Sequence, residues 1–252
     1  MKKWIVAVLC IAAGSAAAAP APAQQTVRFY GYAYDLDTGK YIYTEVYRED
    51  IAAGRWVGGE TRYYALDGRS LGEKTLSFAK DPYIPVYTLN LPAAGYSEGI
   101  ADVAAGRVSM FKESRESGRK TGSVDWHQPM AADSGFHSFL YDHMPELLSG
   151  RSIRFTFAAA GQLDSYAFRA AKTGDTRFEG QPAVLLKVEP SSLLRYLVAP
   201  LLLTYDPVSR RLLEYRGISN VINPATGKAY NARIDYFSQP PPDAPKNLPP
   251  LD

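Results

Sequence analysis

Four short patterns in this 252-residue chain have residue types and spacing that elsewhere serve chemistry. Gly68-Arg69-Ser70-Leu71-Gly72 spells the G-x-S-x-G of a hydrolase nucleophile elbow, in which the serine sits strained between a strand and a helix. Here Glu73 to Ala79 alternate as a strand and Leu66-Asp67-Gly68 reads as a hairpin turn, so the serine lacks its helix. Asp37-Thr38-Gly39 has the letters of an aspartic-protease loop. Its single carboxylate has no second one to share a proton with, Lys40 follows where a small residue is usual, and the triplet reads as a hairpin loop. Gly227-Lys228 is followed by Ala229 where a phosphate loop needs Ser or Thr, and Ile222 stands where its leading glycine belongs. No G-x-G-x-x-G accompanies it, so no nucleotide site is expected.

The fourth pattern is the histidines, His127, His137 and His143. The last two lie on one helical segment six residues apart, about 240° around the axis, and cannot point at one metal ion. His143 falls on the apolar stripe of that helix and reads as a core or rim residue; His137 sits beside Tyr141 one turn on. If the chain were an enzyme, Asp125-Trp126-His127 at the end of a strand is the corner that would carry it. No metal and no cofactor is expected.

Those residues are held mainly by strands. Val27 to Tyr47 reads as a hairpin around Leu36-Asp37-Thr38-Gly39, with Gly39 supplying the positive φ of the loop. Setting Asp35 opposite Lys40 places Tyr34 against Tyr41, Tyr32 against Tyr43, Tyr30 against Glu45 and Arg28 against Tyr47, with Phe29, Ala33, Ile42 and Val46 on the other side. Arg55 to Ala65 and Ser70 to Ala79 make the next hairpin. A loop from Asp81 to Gly106 holds one short strand at Val86 to Leu89, and Arg107 to Ser114 pairs with Lys120 to Trp126. Further strands run from Ile153 to Phe157, Leu163 to Ala171, Ala183 to Glu189, Leu201 to Tyr205, Arg210 to Gly217 and Ala229 to Phe237.

Two helical patterns interrupt this meander of about a dozen strands. After Asp133 or Ser134, the residues Phe136, Phe139, Leu140, His143, Met144, Leu147 and Leu148 share a stripe that Pro145 kinks or splits and Gly150 ends. Ser191 to Val198 is the second. The fold expected is mainly β (α+β), a strongly curved antiparallel meander, half-barrel-like, that either closes or wraps one face on one or two short helices. Ser238 to Asp252 contains six prolines and reads as a flexible tail beyond a single β-rich domain of residues 24–237.

Composition narrows the function classes. The chain is 46% hydrophobic, as a folded domain should be, and Lys plus Arg number 28 against 26 for Asp plus Glu. Met1-Lys2-Lys3, the apolar run Trp4 to Ala13 and small residues up to Ala23 read as a secretory signal peptide, 1–23, cut before Gln24 or, alternatively, after Ala18. Without Lys2 and Lys3 the charges balance, so nucleic acid is not an expected partner. The only cysteine, Cys10, lies in the leader, and the mature chain is expected to be a soluble periplasmic protein without disulfides.

Together with the leader and the meander, Gly135-Phe136-His137-Ser138-Phe139 leading to Leu147-Leu148-Ser149-Gly150, and the closing Tyr205-Asp206-Pro207, Arg211 to Gly217 and Gly227-Lys228-Ala229-Tyr230, give the chain its likeness. It resembles the periplasmic half-barrel superfamily of lipoprotein carriers (LolA/LolB-like), and more narrowly a secreted bacterial family of unknown function with that curved sheet. The resemblance implies an architecture and an apolar ligand, not a cargo.

The 18 tyrosines are the unusual compositional feature, since a sheet face of rings with polar tips suits an amphipathic ligand as well as a wet surface. The expected role is a non-enzymatic binding or carrier protein for an apolar or lipid-like ligand, touching Tyr30, Tyr32, Tyr43, Trp126, His127, Phe136, Phe139 and Leu140. The alternatives are an envelope protein-interaction module that offers an edge strand or the tail, and a hydrolase using Ser70 or His127.

Overall fold

The computed structural model describes residues 24–191 and 199–250. The expected leader with Cys10, and all but the first residue of the expected Ser191 to Val198 helix, lie outside the described residues. Fifteen strands form one sheet. The first arm comprises β1 (Gln24–Asp35), β2 (Tyr41–Ala52), β3 (Arg55–Ala65), β4 (Ser70–Ser77), β5 (Val86–Leu91), β6 (Tyr96–Ala104), β7 (Arg107–Ser114) and β8 (Gly118–Asp125). The chain then forms β9 (Met130–Ala132) and two short helices, α1 (Gly135–Asp142) and α2 (Met144–Leu148). The second arm continues through β10 (Ile153–Ala159), β11 (Asp164–Phe178), β12 (Gln181–Pro190), β13 (Leu201–Tyr205), β14 (Leu212–Ile222) and β15 (Ala229–Asp235).

Neighbours in the sheet are neighbours in sequence, with one exception: β1 pairs antiparallel with β15, which sews the two meanders together at their first and last strands. Only β9 and β10 are parallel. The outer strands β8 and β9 are therefore the ends of a sheet that curves without closing. The curl nevertheless brings the arms into touch: Lys112 Nζ on β7 donates to the Gly161 carbonyl, between β10 and β11, at 2.9 Å. No helix among the described residues is long and apolar enough to cross a membrane.

Bulges and close backbone approaches produce the curvature. Ladders shift register at Ala33/Tyr34, Asp50/Ile51, Tyr63/Tyr64 and Ile100/Asp102 in the first arm, and at Lys172/Gly174 and Thr204/Tyr205 in the second. Gly59 at φ 150° and Gly72 at φ 153° lie within strands where a Cβ would stand 2.0 Å from the Arg48 carbonyl oxygen and 2.1 Å from that of Asn90. Only glycine permits strands that close at that angle.

The first hairpin corrects one expectation. Asp35 N donates to the Lys40 carbonyl at 2.8 Å and Tyr34 faces Tyr41, as the turn requires. Ile42 is then an extra residue, and the register beyond it is Ala33 to Tyr43, Tyr32 to Thr44, Gly31 to Glu45 and Phe29 to Tyr47. A one-residue slip exchanges the faces of everything past it. Tyr43, Glu45 and Tyr47 thus join Phe29 and Ala33 on the inner face, while Tyr32, Tyr34 and Tyr41 cluster on the outer one beneath Phe237 and Ala244. The proline-rich run, with turns at Pro242-Asp243 and Lys246-Asn247, packs against that outer face. Tyr34 Oη donates to Asp243 Oδ1 at 3.1 Å, Tyr30 Oη donates to the Pro249 carbonyl at 2.5 Å, and Asn247 Nδ2 reaches the Asp67 carbonyl at 3.3 Å.

Inside the curl, Phe136, Phe139, Leu140, Met144 and Leu147 bury the expected helical stripe against Phe155, Leu186 and Leu203 of the second arm. Pro145 falls in the first turn of α2, where its missing N–H costs no hydrogen bond, so it splits the helix instead of kinking it. Two strands were not foreseen. β6 lies within the expected Asp81 to Gly106 loop, its composition diluted by Gly99 and two alanines, and β9 is too short to show a period.

Candidate functional site

The helices do not fill the curl. Between β1 to β4, α1 and the ends of β13 to β15 remains a cavity of about 860 Å³. Its walls are aromatic. Phe29 and Tyr47 stack with centroids 4.6 Å apart, Tyr236 stands edge-on to both at 5.9 Å, and Trp56, Phe136 and Tyr215 line it as well.

A polar cluster forms the floor. Lys74 on β4, 4% exposed, donates from Nζ to Asp133 Oδ1 and to Ser134 Oγ, each at 2.7 Å. Ser134 Oγ donates to the same Asp133 oxygen at 2.7 Å, and Asn220 Nδ2 donates to Asp133 Oδ2 at 2.9 Å. Burial would raise the Asp133 carboxyl, but the Lys74 ammonium and these donors outweigh it and hold it below the ordinary range. The pair anchors the start of α1 to the sheet, with Asp133 at φ 41° making the sharp entry.

Beside this pair stands an acid of opposite behaviour. Glu45 on β2, 5% exposed, accepts a hydrogen bond from Tyr47 Oη at 2.5 Å and a longer one from Tyr43 Oη at 3.5 Å. Burial pushes its carboxyl up to about 7, against the pull of the Tyr47 hydroxyl and the Lys74 charge. Glu49, two strand repeats further toward the mouth, is lifted to about 7 by burial alone. His137 on α1 meets the Tyr205 hydroxyl at 2.8 Å, and burial, helped by Lys74, pushes its imidazole down to about 4. It is neutral at physiological pH. The phenols of Tyr47, Tyr63 and Tyr236 are raised by burial and stay protonated.

Of the eight residues expected to touch ligand, Tyr30 and Phe136 line the cavity. Tyr43, Phe139 and Leu140 are fully packed core, and the register shift carries Tyr32 to the outer face. Trp126 and His127 lie at the far end of the first arm, where Trp126 Nε1 donates to Asp81 Oδ2 at 3.2 Å and His127 is exposed. Ser70 is exposed at the start of β4, with a strand and not a helix after it, and Asp37 is exposed in the first hairpin loop. His143 Nδ1 bonds the Phe139 carbonyl at 2.8 Å. Among the described residues no three His, Cys, Asp or Glu side chains converge as a metal site. The floor residues Glu45, Lys74 and Asp133, and Glu49 nearer the mouth, were not foreseen as site residues. The signal was present in part: Glu45 and Glu49 share an alternation with Tyr43 and Tyr47, which places two acids on an otherwise aromatic face.

No family model matches the chain, and no curated protein matches it. Among solved structures it is similar to a β-barrel-like protein of domain of unknown function DUF1849 from Brucella abortus, at 7% identity and a TM-score of 0.48, over 85% of this chain and 98% of that one.

Proposed function

We propose that the protein is an exported, periplasmic carrier that binds an apolar or lipid-like ligand between its curved sheet and α1, without catalysing a reaction on it. The observation that carries this reading is the aromatic-walled cavity of about 860 Å³. Its size lies within the roughly 300–1,000 Å³ of small-molecule sites. Apolar walls of Phe29, Trp56, Phe136 and Ile234 supply the driving force, since each Å² of apolar ligand surface removed from water contributes roughly 25 cal/mol. The leader-like residues 1–23 and the resemblance to lipoprotein carriers point the same way. Lys74 and Ser134 form a close pair, yet both hydrogen-bond Asp133 in a tie that secures α1, which favours a structural role for them.

Native mass spectrometry of the protein purified from the periplasm, followed by organic extraction, tests the proposal. A stoichiometric adduct that extracts as a phospholipid, acyl chain or isoprenoid is the expected result. An apo mass at full folded stability, with no uptake of added lipid, would overturn it.

A further inference from the structure

Resting on the cavity reading, we infer that the ligand carries an amine, and that its ammonium group sits inside the cavity among the aromatic rings between the carboxyls of Glu45 and Glu49. The charges that line the cavity lead there by pairing. Lys74 is held by Asp133 at 2.7 Å and Arg55 at the mouth is held by Asp142 at 3.0 Å. These pairs cancel. Of the remaining acids, Glu45 is satisfied only by the hydroxyls of Tyr47 and Tyr43, and the half-buried Glu49 has no side-chain hydrogen bond or ion pair among the described residues. Both project from the same face of β2, four residues and roughly 13 Å apart along the strand, so they mark a path from the floor toward the mouth.

A carboxyl drawn partly out of water with no cation in contact is costly, and a cation entering beside it relieves that cost. The rings add to this, because the faces of Tyr47, Phe29 and Trp56 attract an ammonium group and the hydrocarbon of an amphiphile alike. A neutral chain would leave Glu49 unpartnered. An anionic headgroup at this depth would face two acids, although exposed Arg28 and Arg211 and half-buried Arg210 offer such a group a place elsewhere in the lining. Burial lifts both carboxyls to about 7, and the Lys74 charge offsets only part of the rise at Glu45.

The test is calorimetric titration of the purified protein at pH 7.5 with decylamine, decanol and decanoate, which share a chain and differ in the headgroup. Decylamine is expected to bind at least tenfold more tightly than decanol, with decanoate no tighter than decanol. Glu49→Gln and Glu45→Gln are each expected to reduce the amine preference to threefold or less while decanol affinity is kept. Thermal unfolding checks that both variants are folded, and Glu49→Gln, nearer the mouth, serves if Glu45→Gln is not. Equal binding of decylamine and decanol, or tightest binding of decanoate, overturns the amine inference while the cavity reading stands. Failure of all three to bind removes both.

Discussion

Tyr47 donates its hydroxyl to Glu45 at 2.5 Å from two residues further along the same strand, with its ring stacked on Phe29 of the neighbouring strand. The acid is thus fixed by a phenol that is itself fixed by packing. On the other side, a Cβ on Gly31 would lie 3.1 Å from Glu45 Oε2, so the absence of a side chain there makes room for the carboxyl. A carboxyl held in this way and given no cation keeps its proton to higher pH than it would in the unfolded chain.

The consequence is a measurable dependence of stability on pH. Glu45 moves from an ordinary value of 4.5 to about 7 on folding, so its contribution to stability is fully present below about pH 4.5 and is lost as the pH rises through 7. The shift corresponds to roughly 3 kcal/mol. Glu49 acts in the same sense, whereas His137, lowered to about 4, adds stability as the pH rises from 4 toward 6.5. Glu45→Gln isolates the first effect. Urea unfolding at pH 5 and pH 8 is expected to show the variant gaining about 2 kcal/mol on the wild-type protein between the two. A difference that does not change with pH would mean that Glu45 titrates as an ordinary surface acid.

The Lys74 and Asp133 pair should behave as a unit. Both side chains are at most 5% exposed, and removing one leaves the other charged and buried. Lys74→Met is expected to cost about 3–5 kcal/mol. Asp133→Asn in the same protein should cost much less than the sum of the single changes, since asparagine keeps the positive φ and the pair leaves no orphan charge. A double-mutant cycle in denaturant measures the coupling, and additive losses would sink the idea.

Local features were legible and long-range ones were not. The hairpin at Asp35 to Lys40, the turn before Ser70 and the stripe from Phe136 to Leu147 each follow from a few adjacent residues, and the structure shows them so. The bulge at Ile42 left no trace, because Tyr41-Ile42-Tyr43 suits a strand equally well with or without an extra residue. That single slip exchanged the inner and outer tyrosines and hid the site, since it is what turns Glu45 and Glu49 inward. The pairing of β1 with β15 joins residues some two hundred positions apart, beyond any local pattern. Asp133 and Lys74, distant in sequence, became neighbours only through the curl.

The outer tyrosines give a prediction for the tail. Tyr32, Tyr34 and Tyr41 are 1%, 7% and 7% exposed, and the chain from Ser238 onward supplies part of that cover through Ala244 and the Asp243 hydrogen bond to Tyr34. A chain ending at Phe237 should therefore uncover an aromatic patch. Increased binding of a hydrophobic dye and a loss of about 1–2 kcal/mol in urea unfolding are expected, of the order of one large side chain returned to water. Unchanged dye binding and stability would show that the tail does not cover this face in solution.

Gly72 and Ser70 separate the hairpin from the nucleophile elbow that the same letters spell. In an elbow the serine is indispensable to activity. In this hairpin Ser70 is exposed, while Gly72, at φ 153°, lies where a Cβ would come within 2.1 Å of the Asn90 carbonyl oxygen on β5. Relief would require β4 to move away from β5, whose ladder runs from Glu73 opposite Asn90 to Ser77 opposite Val86. Gly72→Ala should thus destabilise by more than about 2 kcal/mol, and Ser70→Ala should stay within about 0.5 kcal/mol of the wild-type protein. Urea midpoints of the two variants decide it: the opposite order would mean that the close approach of β4 and β5 is not what requires glycine at this position.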